Sequence, residues 1–172
     1  VSGTVTSNTL SLIVTAAIIK TNPTLSTTNS PTTYNGFAQA AAGTGSVTGT
    51  VSDVKYSGSA TVPTNAGTYA ITADFEPTDT INYNNLNDAT AGNFVIQKVT
   101  PTISVSNSPQ TYSGIGQAAT ISGSVSGVAS NVLTGGAATQ TNVGTYAVTA
   151  DFAPTDSTNY NNLTAATAGN FQ

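Results

Sequence analysis

Carboxylates are the only side chains in this sequence that could serve as strong acids, bases or hard-metal ligands. The chain has no histidine and no cysteine, so the common nucleophile–base pairs and thiolate metal sites are excluded. Two of the seven acidic residues, Asp74 and Asp79, recur as Asp151 and Asp156. Their oxygens suit calcium, and these four residues are the calcium candidates. The alternative is that they accept hydrogen bonds from turn backbone.

Catalysis by these carboxylates is not expected. Glycoside hydrolysis would need two opposed carboxylates in a cleft, and nothing in the spacing of the acidic residues indicates such a pair. We therefore expect no catalytic residue, no cofactor and, apart from the calcium candidates, no metal. The predicted class is a non-enzymatic protein.

Tyrosines are the second group of residues that could contact a ligand, because exposed rings can stack on sugars. Three tyrosines of repeat 1 recur at matched positions of repeat 2, and such recurrence favours packing over ligand binding. We predict structural roles for two of these three pairs, and glycans remain alternative partners for exposed tyrosines. The recurring pairs are Tyr34 and Tyr112, Tyr69 and Tyr146, and Tyr83 and Tyr160, of which the last four form the structural set.

The calcium candidates and the four structural tyrosines lie in a segment that the chain contains twice. Between 64–94 and 141–171, 24 of 31 positions are identical, which indicates two copies of one structural unit. Each copy opens at a lysine, Lys20 or Lys98. The predicted organisation is an N-terminal extended segment at 1–19, repeat 1 at 20–97 and repeat 2 at 98–172.

Each repeat reads as a series of short strands separated by turns. In Gly67–Phe75 the alternation places Tyr69, Ile71 and Ala73 inward, and the preceding turn suits a tyrosine corner, in which the tyrosine hydroxyl bonds to upstream backbone. The other predicted elements are a strand near Thr24, a turn at 35–36, strands at 45–51 and 54–56, a loop at 76–87 and a closing strand at 89–98. About seven short strands predict two tandem immunoglobulin-like β-sandwiches, an all-β fold.

Composition limits the partners and the location. The formal net charge is −4 and arginine is absent, so nucleic-acid binding, which requires cations for phosphates, is not expected. No segment reaches the roughly 18 apolar residues of a membrane-spanning helix, and no membrane insertion is expected. A threonine- and asparagine-rich, cysteine-free repeat suits an extracellular, bacterial cell-surface protein.

The repeat resembles a known family. Its Asn-x-Gly-Thr-Tyr strand, Asn-Tyr-Asn-x-Leu loop and Lys-x-x-Pro-Thr opening, present over residues 20–172, are similar to bacterial immunoglobulin-like repeats of the MBG type. The resemblance implies a stalk or filament module of a long secreted or surface protein. It implies no catalytic residues.

The two ends of the chain complement each other in sequence. The segment that ends in Ile18, Ile19 and Lys20 lines up with the segment that ends at Lys98, while repeat 2 stops at Asn170-Phe171-Gln172 and is expected to lack its last strand. One hypothesis is a pilus-like filament subunit that polymerises head to tail, its N-terminal donor strand completing repeat 2 of an identical neighbour. The predicted polymer interface comprises Leu12, Ile13, Val14, Ala16, Ile18, Ile19 and Phe171.

Two alternatives remain open at this point. The chain could be a stalk segment of a long tandem immunoglobulin-like surface adhesin, in which the complementarity of the ends reflects the periodicity of the array. It could also be a carbohydrate-binding module that uses its tyrosines.

Overall fold

The computed structural model describes residues 19–172. The named elements of this part of the chain are all β-strands, and it contains no helix long and apolar enough to cross a membrane. Of the predicted N-terminal segment, only Ile19 is among the described residues. Repeat 1 contains β1 (Leu25–Thr27), β2 (Thr32–Thr33), β3 (Gly43–Gly45), β4 (Gly49–Tyr56), β5 (Gly67–Pro77) and β6 (Leu86–Gln97). Repeat 2 contains β7 (Ile103–Val105), β8 (Ile121–Gly123), β9 (Gly127–Thr134), β10 (Tyr146–Pro154) and β11 (Leu163–Phe171).

Each repeat consists of a larger sheet and a two-stranded sheet. In repeat 1 the order is β2-β6-β5-β4, with β1 paired to β3; in repeat 2 it is β11-β10-β9, with β7 paired to β8. All of these pairs are antiparallel except β2 with β6, which is parallel. The apolar core of repeat 1 gathers around Phe94, Ile96 and Ile71, and that of repeat 2 around Val148 and Phe171.

The predicted alternation of the long strand is confirmed. Ile71 and Ala73 of β5 are buried and Tyr69 is partly buried; on the other face Thr68 and Ala70 are exposed and Thr72 and Asp74 are partly buried. Such a period of two is what a strand with one face on a core requires. The prediction of an all-β fold of two tandem units is likewise confirmed, with six strands in repeat 1 and five in repeat 2.

The strand predicted over residues 45–51 is wrong, because the chain turns there. β3 ends at Gly45 and β4 begins at Gly49, and the separately predicted strand at 54–56 is the end of β4. A Cβ on Gly45 would lie 2.3 Å from the ring of Phe75, and one on Gly49 would lie 2.4 Å from a carbonyl oxygen of the neighbouring strand. The turn therefore lies against Phe75 in a space that only glycine fits.

The expectation that repeat 2 lacks its last strand is also corrected. β11 is present and pairs with β10 from Phe152–Leu163 to Tyr146–Phe171. The strand starts directly after the Asn-Tyr-Asn loop, earlier than the pattern predicted, so most of its pairing is made before Phe171. Compared with β6, which continues to Gln97, β11 ends earlier, at Phe171.

Candidate functional site

The predicted tyrosine corner exists in both repeats and positions a turn at one end of each. The Tyr69 hydroxyl donates to the Asn65 carbonyl oxygen at 2.8 Å, and the Tyr146 hydroxyl donates to that of Asn142 at 3.1 Å. Each bond spans four residues and holds the turn before the long strand. We call Asn65–Ala66 and Asn142–Val143 the corner turns of repeats 1 and 2.

A second loop lies at the opposite end of the same strands, between β5 and β6 or between β10 and β11. Asp79 accepts hydrogen bonds from the backbone N–H of Ile81 and of Asn82, and from the Asn82 side-chain amide at 2.7 Å. The Asn82 bonds, with a smaller contribution from the Ile81 amide, lower the pKa of Asp79 below its ordinary value. Asp156 holds Asn159 in the same way, through its backbone N–H and its side-chain amide. We call Asp79–Tyr83 and Asp156–Tyr160 the asparagine loops.

The other two calcium candidates lie in the strands rather than in these loops. Asp74 accepts a hydrogen bond from the backbone N–H of Asp88, and Asp151 accepts one from that of Ala165. That backbone bond, together with a side-chain bond from Asn131, lowers the pKa of Asp151. All four candidates therefore accept bonds from backbone N–H groups, within the asparagine loops for Asp79 and Asp156 and between neighbouring strands for Asp74 and Asp151.

A different group of carboxylates is brought together in repeat 1. Oxygens of Asp53, Asp74 and Asp88 lie within 4.8 Å of one another, so this group contains one predicted calcium candidate, Asp74, and not Asp79. Lys55 already supplies a positive charge there, with Nζ at 3.0 Å from Asp53 and 2.6 Å from Asp88. The bonds to Asp88 and then Asp53 raise the pKa of Lys55 above its ordinary value. The ammonium group thus balances part of the carboxylate charge, and sequence spacing gave no sign of this cluster.

The contact between the two repeats joins the corner turn of repeat 1 to the asparagine loop of repeat 2. Asn159 is only 4% exposed. Its Oδ1 accepts a hydrogen bond from the Ala66 N–H at 2.7 Å, and its Nδ2 donates to Asn65 Oδ1 at 3.2 Å. A buried amide that is bonded on both sides fixes the relative position of the groups that it joins. Nothing in the sequence distinguishes Asn159 from Asn82, its counterpart in repeat 1.

Two further contacts complete this junction. The rings of Tyr34 and Tyr160 meet edge to face, with centroids 5.7 Å apart and an interplanar angle of 81°, a favourable geometry for an aromatic pair. The first residues of repeat 2 are fastened to the same loop: Lys98 Nζ donates to the Ser157 carbonyl oxygen at 2.7 Å, and Val99 forms a parallel bridge with Tyr160. Tyr34 and Tyr160 therefore have a structural role in this junction.

At the far end of repeat 2, the surface that corresponds to the repeat 1 side of this junction is open. Tyr112, the counterpart of Tyr34, is 65% exposed, and Val143, the counterpart of Ala66, is 84% exposed. Between them lies a small recess of about 50 Å³ that opens to solvent, and Tyr146 and Phe171 form part of its wall. We call this the end recess.

The end recess lies where β6 runs in repeat 1. There Ile96, which is 2% exposed, pairs with Gly67 on one side and with Thr32 on the other. The corresponding residues of repeat 2, Gly144 and Gln110, both line the recess. The two segments that flank Ile96 in repeat 1 therefore have counterparts on either side of the recess.

Of the predicted polymer-interface residues, two can be located. Phe171 is buried, at 3% exposure, in the core of repeat 2, where it also contributes to the recess wall; Ile19 is 91% exposed. The others (Leu12, Ile13, Val14, Ala16 and Ile18) lie outside the described residues.

Comparison with known protein families gives one result. The family model described as the MBG domain matches residues 21–100 and again residues 101–171. No curated protein and no solved structure matches the chain. The two matched segments divide the chain at the junction between the repeats.

Proposed function

Because the chain belongs to the MBG domain family, we propose that it is a structural module of an extracellular bacterial stalk or filament and has no enzymatic activity. The observation that carries this proposal is the junction between the repeats. Its two partners, the corner turn and the asparagine loop, lie at opposite ends of the long strands, so each added repeat lengthens the assembly. β5 has 11 residues and spans roughly 36 Å at about 3.3 Å per residue.

In the proposed filament, identical subunits join head to tail through donated N-terminal residues. Aligning Lys20 with Lys98 places Ile18 on Ile96 and Ile19 on Gln97. Phe171 and Gln172 take the positions of Phe94 and Val95, so a neighbour's Ile18 would be the first residue to enter the end recess. Such a contact joins two different surfaces and generates an open fibre.

Backbone groups at the end recess are suited to this strand. In repeat 1 the Tyr34 N–H donates to the Gln97 carbonyl oxygen at 2.9 Å. In repeat 2 the Gln110 N–H donates to the Gln172 carbonyl oxygen at 2.6 Å. This is the first hydrogen bond of the ladder that corresponds to the pairing of β2 with β6 in repeat 1. The next donor along it is the Tyr112 N–H, for which residues 19–172 supply no backbone acceptor. A donated Ile19 carbonyl would take the place of Gln97.

The free energy available from the donated residue limits how stable this contact can be. Burying the Ile18 side chain stabilises the contact by roughly 1.5–3 kcal/mol, whereas association costs on the order of 4–15 kcal/mol in lost freedom of motion. The free energy gained by burying Ile18 in the end recess is therefore too small to hold a filament together by itself. A second contact between neighbouring subunits is required.

Introduced cysteines test strand donation directly, because the natural chain has no cysteine. Thr33 and Gln97 are paired across β2 and β6, and the corresponding pair between subunits is Thr111 with Ile19. A chain with both Thr111→Cys and Ile19→Cys should form a reducible ladder of multimers in non-reducing gel electrophoresis. The matched control, Thr33→Cys with Gln97→Cys, should crosslink within one chain.

The outcomes separate the two versions of the proposal. A ladder from the Thr111/Ile19 variant supports donation between subunits. Efficient crosslinking of the control without any ladder would refute donation and favour the tandem stalk, in which each groove is filled from its own chain as Ile96 fills that of repeat 1.

A further inference from the structure

Among the described residues, two solvent-exposed surfaces carry the two halves of the contact that joins the repeats. One half is the asparagine loop of repeat 1, Asp79–Tyr83; the other is the corner turn of repeat 2, Asn142–Val143, with the nearby ring of Tyr112. We propose that the asparagine loop of a second copy of this chain docks on this corner turn and reproduces the junction of Asn159 with Asn65 and Ala66. This inference rests on the proposed head-to-tail filament and supplies its second contact.

The asparagine loop of repeat 1 already has the conformation found in the junction. The Thr21 N–H donates to the Asn82 carbonyl oxygen at 2.9 Å, just as the Val99 N–H donates to that of Asn159 at 2.9 Å. The Tyr83 N–H donates to the Asp79 carbonyl oxygen at 3.2 Å, and its counterpart in repeat 2 does so at 3.1 Å. A loop held in its bound shape loses little conformational freedom on docking.

Asn82 nevertheless lies in a different environment from its counterpart. Both side chains donate to the aspartate of their own loop. Asn159 is buried, however, and its Oδ1 also accepts the Ala66 N–H, whereas Asn82 is exposed. The same loop sequence is thus seated on a corner turn in one repeat and faces solvent in the other. A docked copy would place Asn82 Oδ1 against the Val143 N–H.

The receiving corner turn is equally well formed. The Tyr146 hydroxyl donates to the Asn142 carbonyl oxygen, and this bond uses neither the Asn142 side chain nor the Val143 N–H. Tyr112 is available to meet Tyr83 as Tyr34 meets Tyr160. A charged partner is not required, because the contact consists of amide hydrogen bonds and one aromatic pair.

Chain spacing couples this contact to strand donation. Ile96 and Val99 are three residues apart in the junction, and Ile18 and Thr21 are three residues apart in the neighbouring copy. If Ile18 occupies the end recess as Ile96 occupies its groove, the following residues bring Asn82 to Asn142 and Val143. The donated residues and the docked loop then act as one interface.

The test measures the critical concentration for assembly of the full chain by sedimentation. Asn82→Ala and Asn142→Ala should each raise it by about 5- to 100-fold, as expected for one or two hydrogen bonds lost from an interface. Asn85→Ala is the matched control, since Asn85 is exposed, lies just beyond the same loop and is not part of the contact; it should leave the critical concentration unchanged.

A double-mutant cycle decides whether the two asparagines contact each other. The combined Asn82→Ala and Asn142→Ala variant should lose less than the product of the two single effects. Filaments that depend on residues 1–19 but respond to neither asparagine would overturn this inference and leave strand donation intact. Filaments that respond to both asparagines after residues 1–19 are removed would support the loop contact and overturn strand donation. A chain that stays monomeric at every concentration would overturn both.

Discussion

Substitution of Asn159 should show how strongly the two repeats are coupled. Asn159→Ala removes the acceptor for the Ala66 N–H, the donor to Asn65 Oδ1 and the bond to Asp156. The equivalent change in repeat 1, Asn82→Ala, removes only the corresponding bond to an aspartate, Asp79. The difference between the two variants therefore isolates the hydrogen bonds between the repeats.

The expected difference follows from the two junction bonds. Each hydrogen bond contributes about 0.5–1.5 kcal/mol net, and a partly buried N–H left without a partner costs about 1–3 kcal/mol. Asn159→Ala should thus lower the free energy of unfolding by about 1–3 kcal/mol more than Asn82→Ala does. The loss should fall on the interface between the repeats rather than on either repeat alone.

Urea unfolding followed by tyrosine fluorescence and circular dichroism measures this difference, at protein concentrations below the assembly threshold. The data should be fitted with separate free energies for the two repeats and one for their interface, because tandem repeats need not unfold in a single step. Equal losses from Asn159→Ala and Asn82→Ala would refute the reasoning, since the buried amide would then contribute nothing to coupling.

Three further predictions concern single repeats. Tyr69→Phe should lower the free energy of unfolding by about 1 kcal/mol through loss of the tyrosine-corner bond, and an unchanged urea midpoint would contradict this. Thr134→Val should raise it by about 1 kcal/mol, because the Thr134 hydroxyl is buried without a partner; a loss of stability would show that the hydroxyl is satisfied. The lowered pKa values of Asp79 and Asp151 mean that their contribution is present above their ordinary pKa and is lost as the pH falls through the lowered values. Asp79→Asn should flatten the acid side of the stability profile measured by urea unfolding, and an unchanged profile would count against this cause.

The elements that follow from local pattern were predictable from sequence. The alternation around Ile71 and Ala73 identifies the long strand, and the turn before Tyr69 identifies the corner, because both depend on neighbours within a few residues. The hairpin between Gly45 and Gly49 was not predictable in this way. Its cause is the ring of Phe75, which lies far along the chain and excludes a Cβ at both glycines.

The junction was not predictable for a different reason. Asn82 and Asn159 occupy identical positions in nearly identical loops, yet one is exposed and the other is 4% exposed. Local sequence cannot distinguish them, because the difference arises from whether a corner turn of another repeat lies against the loop. The same limit applies to the carboxylates, since Asp53 and Asp88 meet only through the pairing of strands β4, β5 and β6.

The most direct test of head-to-tail assembly compares the intact chain with one that lacks residues 1–19. Electron microscopy and sedimentation at increasing protein concentration should show fibres for the intact chain, with a spacing set by the long strands of its two repeats, roughly 36 Å for β5 and roughly 30 Å for β10. The shortened chain, which retains both repeats but has lost Ile18 and Ile19, should remain monomeric at the same concentrations. Equal fibre formation by both chains, or an intact chain that stays monomeric, would contradict assembly by donated residues.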